Sequence, residues 1–450
     1  MGLFGTDGVR GVANKGLTPE LALALGRAAR FLKDERNRAV IGRDTRRSGE
    51  MLSAALAAGL ASVGLEVIDL GVVPTPAIPF LVERYDASFG VVVSASHNPA
   101  EDNGIKFFDR MGFKITEELE QKLEEAVRVG LPERPSGREI GRIRSAPEAA
   151  RLYLDHLLSL AASELKLGPE VDGLGLNLKL VVDCANGATS GLAGELLARL
   201  GLETITIHDR PDGDNINLEC GSTDLRSLKE AVLGHRADLG VAYDGDGDRA
   251  IFVDHEGGEV DGDVVLFLAA SRLKAKGLLE PPTVVATVMS NLGLEEALEA
   301  EGIELVRTKV GDRYVAEEIE RRGCRLGGEQ SGHIIFRGCS TTGDGLITTL
   351  QVLTILREEG RPLKELAARL PRYPQVLHSI PVRDPELFHR HERLREAISS
   401  LQARLDGVGR LLVRPSGTQP VIRLMVEGKD EALIREVGRE LKGLIEQELG

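Results

Sequence analysis

The sequence predicts an α/β protein made of three related domains with mixed, largely parallel sheets, followed by a C-terminal α+β domain. The main observation is a repeated unit: an apolar run, a polar turn, an Ala/Leu-rich helix and a second apolar run. This unit occurs three times, and each helix is followed by Gly-[Leu/Ile]-Glu. A strand–helix–strand unit of this kind is typical of parallel sheets. Its repetition indicates related domains.

The three copies are easily located in the chain. They begin at "RAVIGRDTRRSGE", "LKLVVDCANGATS" and "PTVVATVMSN", and they end at "GLEVIDLG", "GLETITIHD" and "GIELVRT". The C-terminal segment "RLLVRPSGTQPVIRLMVEGKDEALIREVGRELKGLIEQEL" lacks the unit. It predicts two strands around a loop and then one amphipathic helix, which favours an α+β domain.

Composition predicts where the domains meet. The segment 130–150 is rich in Pro, Gly and Arg and is predicted to be a linker. Residues 255–263 are turn-rich, and residues 357–375 close the third unit. The predicted domains are 1–150 with the Ser96 loop, 151–254 with an aspartate loop, 255–367 with a Glu/Ser/His loop, and 368–450 with an arginine loop.

Bulk properties exclude several classes of protein. The chain has 450 residues and a formal net charge of −14, without a basic tail, which argues against nucleic-acid binding. No apolar run approaches the roughly 18 residues of a membrane span, and the N-terminus has no secretory signal pattern. The four cysteines form no CxxC pair, which argues against a zinc site or a disulfide framework. We therefore expect a cytoplasmic protein.

The stretch "YDGDGDRAIFVD" carries the strongest chemical signal. Asp244, Asp246 and Asp248 alternate with glycines, so an extended or curled loop can turn all three carboxylates toward one point. Carboxylate oxygens suit Mg²⁺ or Ca²⁺. An EF-hand is excluded, because Arg249 and His255 stand where that motif needs Gly and Glu. A metal site is favoured over a solvated acidic turn.

Two arginines flank a polar loop in "RPSGTQPVIR". Guanidinium, hydroxyl and backbone N–H donors together suit a phosphate dianion. A hairpin turn with surface arginines explains this motif equally well when it is considered alone. The donors are Arg414, Ser416, Gly417, Thr418 and Arg423.

Two glycine-rich stretches give weaker signals. "GGEQSGH" carries Glu329, Ser331 and His333, which suit hydrogen bonding to a polyol and titration near neutral pH. "FGTDGVRG" contains Arg10, which could contact an anion, although its glycines could equally shape an ordinary loop. "FGTDGVRG" does not match GxGxxG, and the chain's only Gly-Lys pair, Gly428-Lys429, does not complete a P-loop.

Ser96, in "VVVSASHNPAEDNGIKFF", follows an apolar strand. It lies outside a GxSxG motif, which argues against an α/β-hydrolase. His97 is next to it, and adjacent side chains in an extended segment point apart, so His97 is not expected to act as its base. An ordinary turn remains an equal alternative from this stretch alone.

Taken together, SASHNP with NGIKFF, DGDGDR, GEQSGH and RPSGTQP occur in the order typical of the α-D-phosphohexomutase superfamily, which the chain resembles. The resemblance implies a four-domain, heart-shaped enzyme around a central cleft. It also implies that Ser96 is a phosphoserine that gives and receives a phosphoryl group. One departure is Gln419, where the family usually has Glu.

The resemblance assigns further roles. Mg²⁺ would be held by Ser96, Asp244, Asp246 and Asp248. Sugar hydroxyls would be bound by Glu329 and Ser331, and the phosphate that is not transferred would be bound by Arg414, Ser416, Gly417, Thr418 and Arg423. Charge neutralisation and proton transfer would involve Arg10, Lys106, Arg249 and His333.

The implied activity is interconversion of glucosamine 6-phosphate and glucosamine 1-phosphate through a 1,6-bisphosphate, in UDP-N-acetylglucosamine and peptidoglycan precursor synthesis. Glucose or mannose phosphates are alternative substrates of the same superfamily. A sugar-phosphate-binding protein without activity and a metal-dependent phosphatase are alternatives of other classes. The expected partners are the hexosamine phosphate and a second copy of the chain, with neither nucleic acid nor membrane.

Overall fold

The computed structural model describes residues 2–5, 7–130, 134–163, 166, 178–416 and 420–450. The chain forms two compact units. The first unit comprises Met1–Met289 and Glu301–Arg369, and the second comprises Ser290–Ala300 and Leu370–Gly450.

The first sheet has six strands in the order β1-β5-β4-β2-β3-β6. Strands β2, β3, β4 and β6 pair in parallel, whereas β5 pairs antiparallel with both β4 and β1. Its elements are β1 Val9–Val12, α1 Pro19–Ala28, β2 Arg38–Arg43, α2 Arg47–Ser62, β3 Glu66–Val72, α3 Ala77–Arg84, β4 Phe89–Val93, β5 Asp102–Phe108, α4 Glu117–Val129 and β6 Ile143–Ser145.

The second sheet has five strands in the order β11-β10-β9-β7-β8 and follows a long helix, α5. Strand β7 pairs in parallel with β8 and β9, and β10 is antiparallel to β9 and β11. The elements are α5 Ala149–Ser163, β7 Lys179–Asp183, α6 Ala193–Arg199, β8 Glu203–Ile207, α7 Arg226–His235, β9 Leu239–Tyr243, β10 Ala250–Asp254 and β11 Glu259–Val260.

The third sheet has four strands in the order β13-β12-β14-β15. Strand β12 pairs in parallel with β13 and β14, and β15 is antiparallel to β14. The elements are α8 Gly262–Ala275, β12 Thr283–Thr287, β13 Glu304–Thr308, α10 Asp312–Arg322, β14 Leu326–Gly328, β15 Ile334–Phe336, α11 Gly345–Glu359 and α12 Leu363–Ala367. The helix α9 Leu292–Ala300 lies between β12 and β13 in the chain but belongs to the second compact unit.

The three sheets share one topology. In each sheet, the first strand of the repeat is flanked in parallel by the second and third strands, and a fourth strand returns antiparallel beside the third. The predicted fold class, with related domains and mixed sheets, is thereby confirmed. The loop between the third and fourth strands therefore occupies the same position in every sheet. These loops are 94–101, 244–249 and 329–333.

The second unit contains an antiparallel sheet of three strands in the order β16-β18-β17, which confirms the predicted α+β character. Apolar side chains such as Leu394, Leu424 and Leu441 form its buried core. The elements are β16 Gln375–Pro381, α13 Glu392–Leu405, β17 Gly409–Pro415, β18 Val421–Gly428 and α14 Glu431–Leu449.

The predicted linker at 130–150 is only partly irregular. Its residues Ile143–Ser145 form β6, which pairs in parallel with β3 at the edge of the first sheet. All three β6 residues are exposed, so the hydrophobic alternation that marks a half-buried strand is missing there. Within the described ranges, no helix combines the length and apolar character needed to cross a bilayer.

Candidate active site

The loops after β4 and β9 meet in the first unit. Ser96 Oγ donates a hydrogen bond to Asp244 Oδ2 at 2.6 Å. Ser96 is 1% exposed and Asp244 is fully buried. Both residues follow the carboxyl end of a strand that lies third in its repeat. The shared topology therefore brings a serine from one domain onto a carboxylate from the next.

Ser96 has a left-handed backbone conformation, with φ of +53°. Its backbone N–H donates to Ser94 Oγ at 3.0 Å. The expectation that His97 would point away is wrong, since its Nδ1 lies 3.2 Å from Ser96 Oγ. That expectation assumed an extended backbone, which φ of +53° does not provide.

His97 is poorly suited to remain charged in this position. Burial and the nearby Arg249 and Arg10 lower the pKa of His97 to about 3. The imidazole is therefore neutral near pH 7. Because the Ser96 hydroxyl has one proton and donates it to Asp244, His97 Nδ1–H is the donor to Ser96 Oγ when both bonds are present.

The three aspartates of the second loop form a compact cluster. One carboxylate oxygen from each of Asp244, Asp246 and Asp248 lies within 4.8 Å of the others, and all three residues are buried. Asp246 Oδ1 and Asp248 Oδ1 have no hydrogen-bond partner among the described residues. Buried carboxylates need a positive partner, and hard oxygen ligands fit Mg²⁺ or Ca²⁺. The donor set therefore fits a divalent cation.

The aspartates differ in their protonation behaviour. Burial raises the pKa of Asp244 well above its usual range, and repulsion from Asp248 and Asp246 adds to this. Burial and Asp246 likewise raise the pKa of Asp248. Burial would also raise the pKa of Asp246, but the Lys106 ammonium and hydrogen bonds from Thr75 and Lys106 hold it below its usual value.

Lys106, on β5, lies between two carboxylates. Its Nζ is 3.0 Å from Asp246 Oδ2 and 3.1 Å from Asp7 Oδ2. Although Lys106 is only 1% exposed and burial lowers its pKa, attraction to Asp246 and Asp7 raises the pKa above the usual value. The ammonium is therefore permanently charged and places a positive charge beside the aspartate cluster.

The charged chain continues to the third loop. Lys114 Nζ contacts both Asp7 Oδ1 and Asp312 Oδ2. Asp312 Oδ2 in turn lies 3.7 Å from His333 Nε2. His333 is 1% exposed, and neither of its ring nitrogens has a hydrogen-bond partner in the part of the chain that the structure describes. Charges of alternating sign thus connect the aspartate cluster to His333.

Two further predicted cations lie in the same region. Arg249 Nε is 3.7 Å from Asp248 Oδ1, and its backbone N–H donates to Asp244 Oδ1 at 3.2 Å. Arg10, on β1, contacts Asp7 through Nη2 and lies 3.5 Å from Asn98 Oδ1. Both guanidiniums therefore lie beside the aspartate and serine loops.

The third loop forms a tight turn. Glu329 N–H donates to the His333 carbonyl at 2.9 Å, and Gly332 N–H donates to the Glu329 carbonyl at 3.0 Å. Glu329 Oε1 accepts from Gly311 N–H at 3.3 Å. Ser331, at the tip of the turn, is exposed, so its hydroxyl is available to a ligand.

The predicted phosphate donors lie in the second unit. Arg414 on β17 is directly opposite Arg423 on β18. Burial and repulsion from Arg423 lower the pKa of Arg414. In the residues that the structure describes, neither arginine forms an ion pair with a carboxylate. Ser416 N–H donates to the Val421 carbonyl at 2.9 Å, whereas Gly417, Thr418 and Gln419 lie outside the described residues.

Several polar residues around the site were not identified from the sequence. Asp44 and Arg46 follow β2, next to the strand that precedes Ser96. Polar residues after neighbouring parallel strands are a usable signal, because those strand ends share one edge of the sheet. The remaining ones come from loops and helix starts without a local signal. They are Asp7, Thr75, Lys114, Asn217 and Asp312.

Models of known protein families match almost the whole chain. Four models, described as phosphoglucomutase/phosphomannomutase domains, match in order along the sequence. They are alpha/beta/alpha domain I at residues 1–131, domain II at 151–258, domain III at 261–373 and the C-terminal domain at 377–443.

Curated relatives are similar over their full length. A phosphoglucosamine mutase of Syntrophomonas wolfei is 49% identical, with 99% of each chain covered. One from Pelotomaculum thermopropionicum is 50% identical with the same coverage. One from Carboxydothermus hydrogenoformans is 51% identical, again over 99% of each chain.

Solved structures have the same fold. A phosphoglucomutase/phosphomannomutase family protein from Burkholderia thailandensis superposes with a TM-score of 0.81 at 26% identity, covering 98% of this chain and 97% of that one. Aspergillus fumigatus N-acetylphosphoglucosamine mutase, crystallised with GlcNAc-6P and magnesium, has a TM-score of 0.66 at 20% identity, covering 99% and 95%. The chain belongs to the phosphoglucomutase/phosphomannomutase family of the α-D-phosphohexomutase superfamily.

Proposed function

We propose that this chain interconverts glucosamine 6-phosphate and glucosamine 1-phosphate through phosphorylated Ser96 and a sugar 1,6-bisphosphate. The observation that carries the proposal is the contact of 2.6 Å between Ser96 Oγ and Asp244 Oδ2, within a cluster of three buried carboxylates. A serine that only capped a turn would not need three aspartates beside it. The names of relatives that are about half identical support glucosamine phosphate as the substrate.

In this proposal, Mg²⁺ is held by Asp244, Asp246 and Asp248 together with the Ser96 phosphate. A phosphoserine has a charge of about −1.5 to −2 near neutral pH, which would be strongly repelled by the aspartates alone. The cation supplies neutralisation of that charge. Lys106 and Arg249 provide further positive charge around the phosphoryl group, as phosphoryl transfer requires.

Each transfer exchanges one P–O bond for another. In the first, the bond between phosphorus and Ser96 Oγ breaks and leaves its electron pair on Ser96 Oγ, while a bond from phosphorus to the free sugar hydroxyl oxygen forms, which yields the bisphosphate. The hydroxyl proton leaves to a base, for which His333 is our candidate, because its two ring nitrogens are buried and have no hydrogen-bond partner among the described residues. After the sugar reorients, Ser96 Oγ forms a bond to the phosphorus of its other phosphate, the bond from that phosphorus to the sugar oxygen breaks, and the proton on His333 goes to that sugar oxygen.

The substrate is held by two further groups of residues. Glu329 and Ser331, on the third loop, bind sugar hydroxyls. Arg414 and Arg423, with Ser416, bind the phosphate that is not transferred, and the facing guanidiniums without a carboxylate partner in the described chain support this role. Gly417 and Thr418 are assigned to the same loop by resemblance alone.

The wider context is also a proposal. Glucosamine 1-phosphate is a precursor of UDP-N-acetylglucosamine, so the reaction belongs to supply of cell-wall building blocks. A cytoplasmic location and a homodimer remain predictions. The main alternative substrates are glucose and mannose phosphates, which the names of more distant structures of the family favour.

The decisive experiment compares wild-type protein with the Ser96→Ala variant. A coupled assay measures conversion of glucosamine, glucose and mannose 6-phosphates, and intact mass spectrometry measures covalent phosphate. In the wild type we expect turnover of glucosamine 6-phosphate and one covalently added phosphate. Both should be lost in Ser96→Ala. Both should be kept in the control Ser62→Ala, since Ser62 lies on α2, away from the candidate site. Release of inorganic phosphate would indicate a phosphatase, and full activity of Ser96→Ala would exclude the phosphoserine mechanism.

A further inference from the structure

One buried guanidinium, that of Arg46, donates hydrogen bonds to the backbone of the loop that contains Ser96. Arg46, between β2 and α2, is 2% exposed, and its side chain is completely buried. Its Nη2 donates to the carbonyls of Ser96 at 2.9 Å and Asn98 at 2.8 Å. Its Nη1 donates to the Asp102 carbonyl at 3.0 Å and also to the Pro99 carbonyl.

The fifth N–H of Arg46 completes the set. Nε donates to Asp44 Oδ2 at 2.9 Å, and the same carboxylate oxygen accepts from Ser94 Oγ at 2.5 Å. An arginine has five N–H donors in a fixed planar arrangement. All five are used: three on backbone carbonyls of the Ser96 loop, one on the carbonyl of Asp102 at the start of β5, and one on a carboxylate that balances the charge of the guanidinium.

A second donor approaches the same carbonyls from the second domain. Asn217 Nδ2 lies 2.9 Å from the Ser96 carbonyl and 3.0 Å from the Asn98 carbonyl. Space there is limited, since a Cβ atom on Gly245 would lie 2.7 Å from both the Ser96 carbonyl oxygen and Asn217 Nδ2. Gly245 belongs to the aspartate loop, so the two loops are packed directly against each other.

These bonds explain how a non-glycine residue remains at φ of +53°. A left-handed backbone costs a non-glycine residue of order 1 kcal/mol or more and persists only where its surroundings determine it. We propose that Arg46, assisted by Asn217, is a positioning residue that holds the Ser96 loop in this conformation and so directs Ser96 Oγ at Asp244. Neither side chain touches the reacting atoms.

The inference rests on the proposed function for its kinetic readout, but it has a structural readout of its own. Lysine offers three donors around one nitrogen and cannot reach four separate carbonyls in a plane. The Arg46→Lys variant should therefore let the loop sample other conformations. A misplacement of about 1 Å at a reacting group costs on the order of 10²-fold in rate, so kcat should fall by about that factor while KM stays nearly constant.

The test measures kcat, KM and amide hydrogen exchange of the peptide covering residues 94–103. The matched control is Arg47→Lys, the neighbouring arginine, whose exposed side chain pairs with Asp214. We expect Arg46→Lys to speed exchange in this peptide and lower kcat, and Arg47→Lys to change neither. Asn217→Ala should act in the same direction with a smaller effect, and it replaces Arg46→Lys as the deciding variant if the latter does not fold.

The outcomes separate the two proposals. If wild-type protein converts no hexose phosphate, the proposed function fails, and hydrogen exchange still tests the inference. If wild-type protein is active and the deciding variant keeps its kcat, the inference is overturned. It is also overturned if kcat falls while exchange in residues 94–103 is unchanged, because the effect would not then come from the loop.

Discussion

The Lys106 ammonium lies 3.0 Å from Asp246 Oδ2 in a region closed to solvent. It links the aspartate cluster to Asp7, the next carboxylate in the row of alternating charges that leads to His333. Removing one partner of a buried pair leaves an uncompensated charge, and this costs about 3–5 kcal/mol.

The first prediction follows from that cost. We expect Lys106→Met, which keeps the length of the side chain, to lower the free energy of unfolding by about 3–5 kcal/mol in metal-free buffer. Urea denaturation would measure the free energy of unfolding of wild type and variant. The exposed Lys15→Met control should stay within about 0.5 kcal/mol of wild type. Equal stability of the two variants would contradict the charge balance described here.

The second prediction concerns the cation. With Mg²⁺ at about 100 times its Kd, the free energy of unfolding should rise by about 2.7 kcal/mol. Because affinity depends on the number of charged ligands, Asp248→Asn should weaken Mg²⁺ binding at least about tenfold. Isothermal titration calorimetry would measure the Kd for Mg²⁺ of wild-type protein and of Asp248→Asn. The control is Asp406→Asn, at an exposed position. An unchanged Kd in Asp248→Asn would place the ion elsewhere.

The third prediction concerns pH. Burial raises the pKa of Asp344 to about 6, from 3.8 for an exposed carboxyl, despite a hydrogen bond from Tyr153. The folded protein therefore binds this proton more tightly than the unfolded chain, so the stabilisation is present at low pH and is lost as pH rises through about 6. Between about pH 5 and pH 8, the free energy of unfolding of wild-type protein should therefore fall by about 1–2 kcal/mol relative to that of Asp344→Asn.

Denaturation of both proteins across this pH range provides the measurement. The side-chain amide in Asp344→Asn would keep an acceptor for the α11 N-terminus, where Asp344 Oδ1 accepts from Ile347 N–H at 3.0 Å. Tyr153→Phe removes the hydrogen-bond donor that lowers the pKa of Asp344. The pKa of Asp344 should then rise, and the decrease in the free energy of unfolding should occur at higher pH. Parallel curves for wild type and Asp344→Asn would refute the assignment.

The fourth prediction concerns the paired arginines of the second unit. Arg423→Met should raise KM for glucosamine 6-phosphate by at least about tenfold, because a hydrogen bond to a charged group is worth about 1.5–3 kcal/mol. Stability should hardly change, since this removes repulsion with Arg414 rather than an ion pair. Steady-state kinetics would measure KM. The control is Arg393→Met, which removes an exposed arginine that pairs with Glu448. A change in kcat alone would speak against a binding role.

Much of the fold could be predicted because it depends on a repeated hydrophobic pattern. The three strand–helix–strand units correspond to β2-α2-β3, β7-α6-β8 and β12-α9-β13. Strand β1 was missed, since "VRGV" lies among glycines that suggest a loop, and its pairing with β5 depends on a distant segment. Strand β6 was missed because its exposed residues lack alternation.

The site could be predicted less completely. The aspartate cluster follows from spacing within one loop, and the structure brings the Ser96 loop into contact with it. The conformation of Ser96 could not be read from the sequence, because a left-handed serine depends on partners such as Arg46 and Asn217 that lie far away in the chain. Partly buried charges such as Asp7 and Lys114 are equally hard to identify, since these residue types are usually exposed.

The common position of the three loops also bears on how such a protein can change. Each loop joins two adjacent antiparallel strands, so its length and composition can vary while the sheet below keeps its pairing. One frame thus supports a serine in one copy, carboxylates in another, and a glutamate and histidine in the third. The serine, the aspartates and the Glu/His pair of the site therefore come from one hairpin in each of the three copies, and no single copy contains all of them.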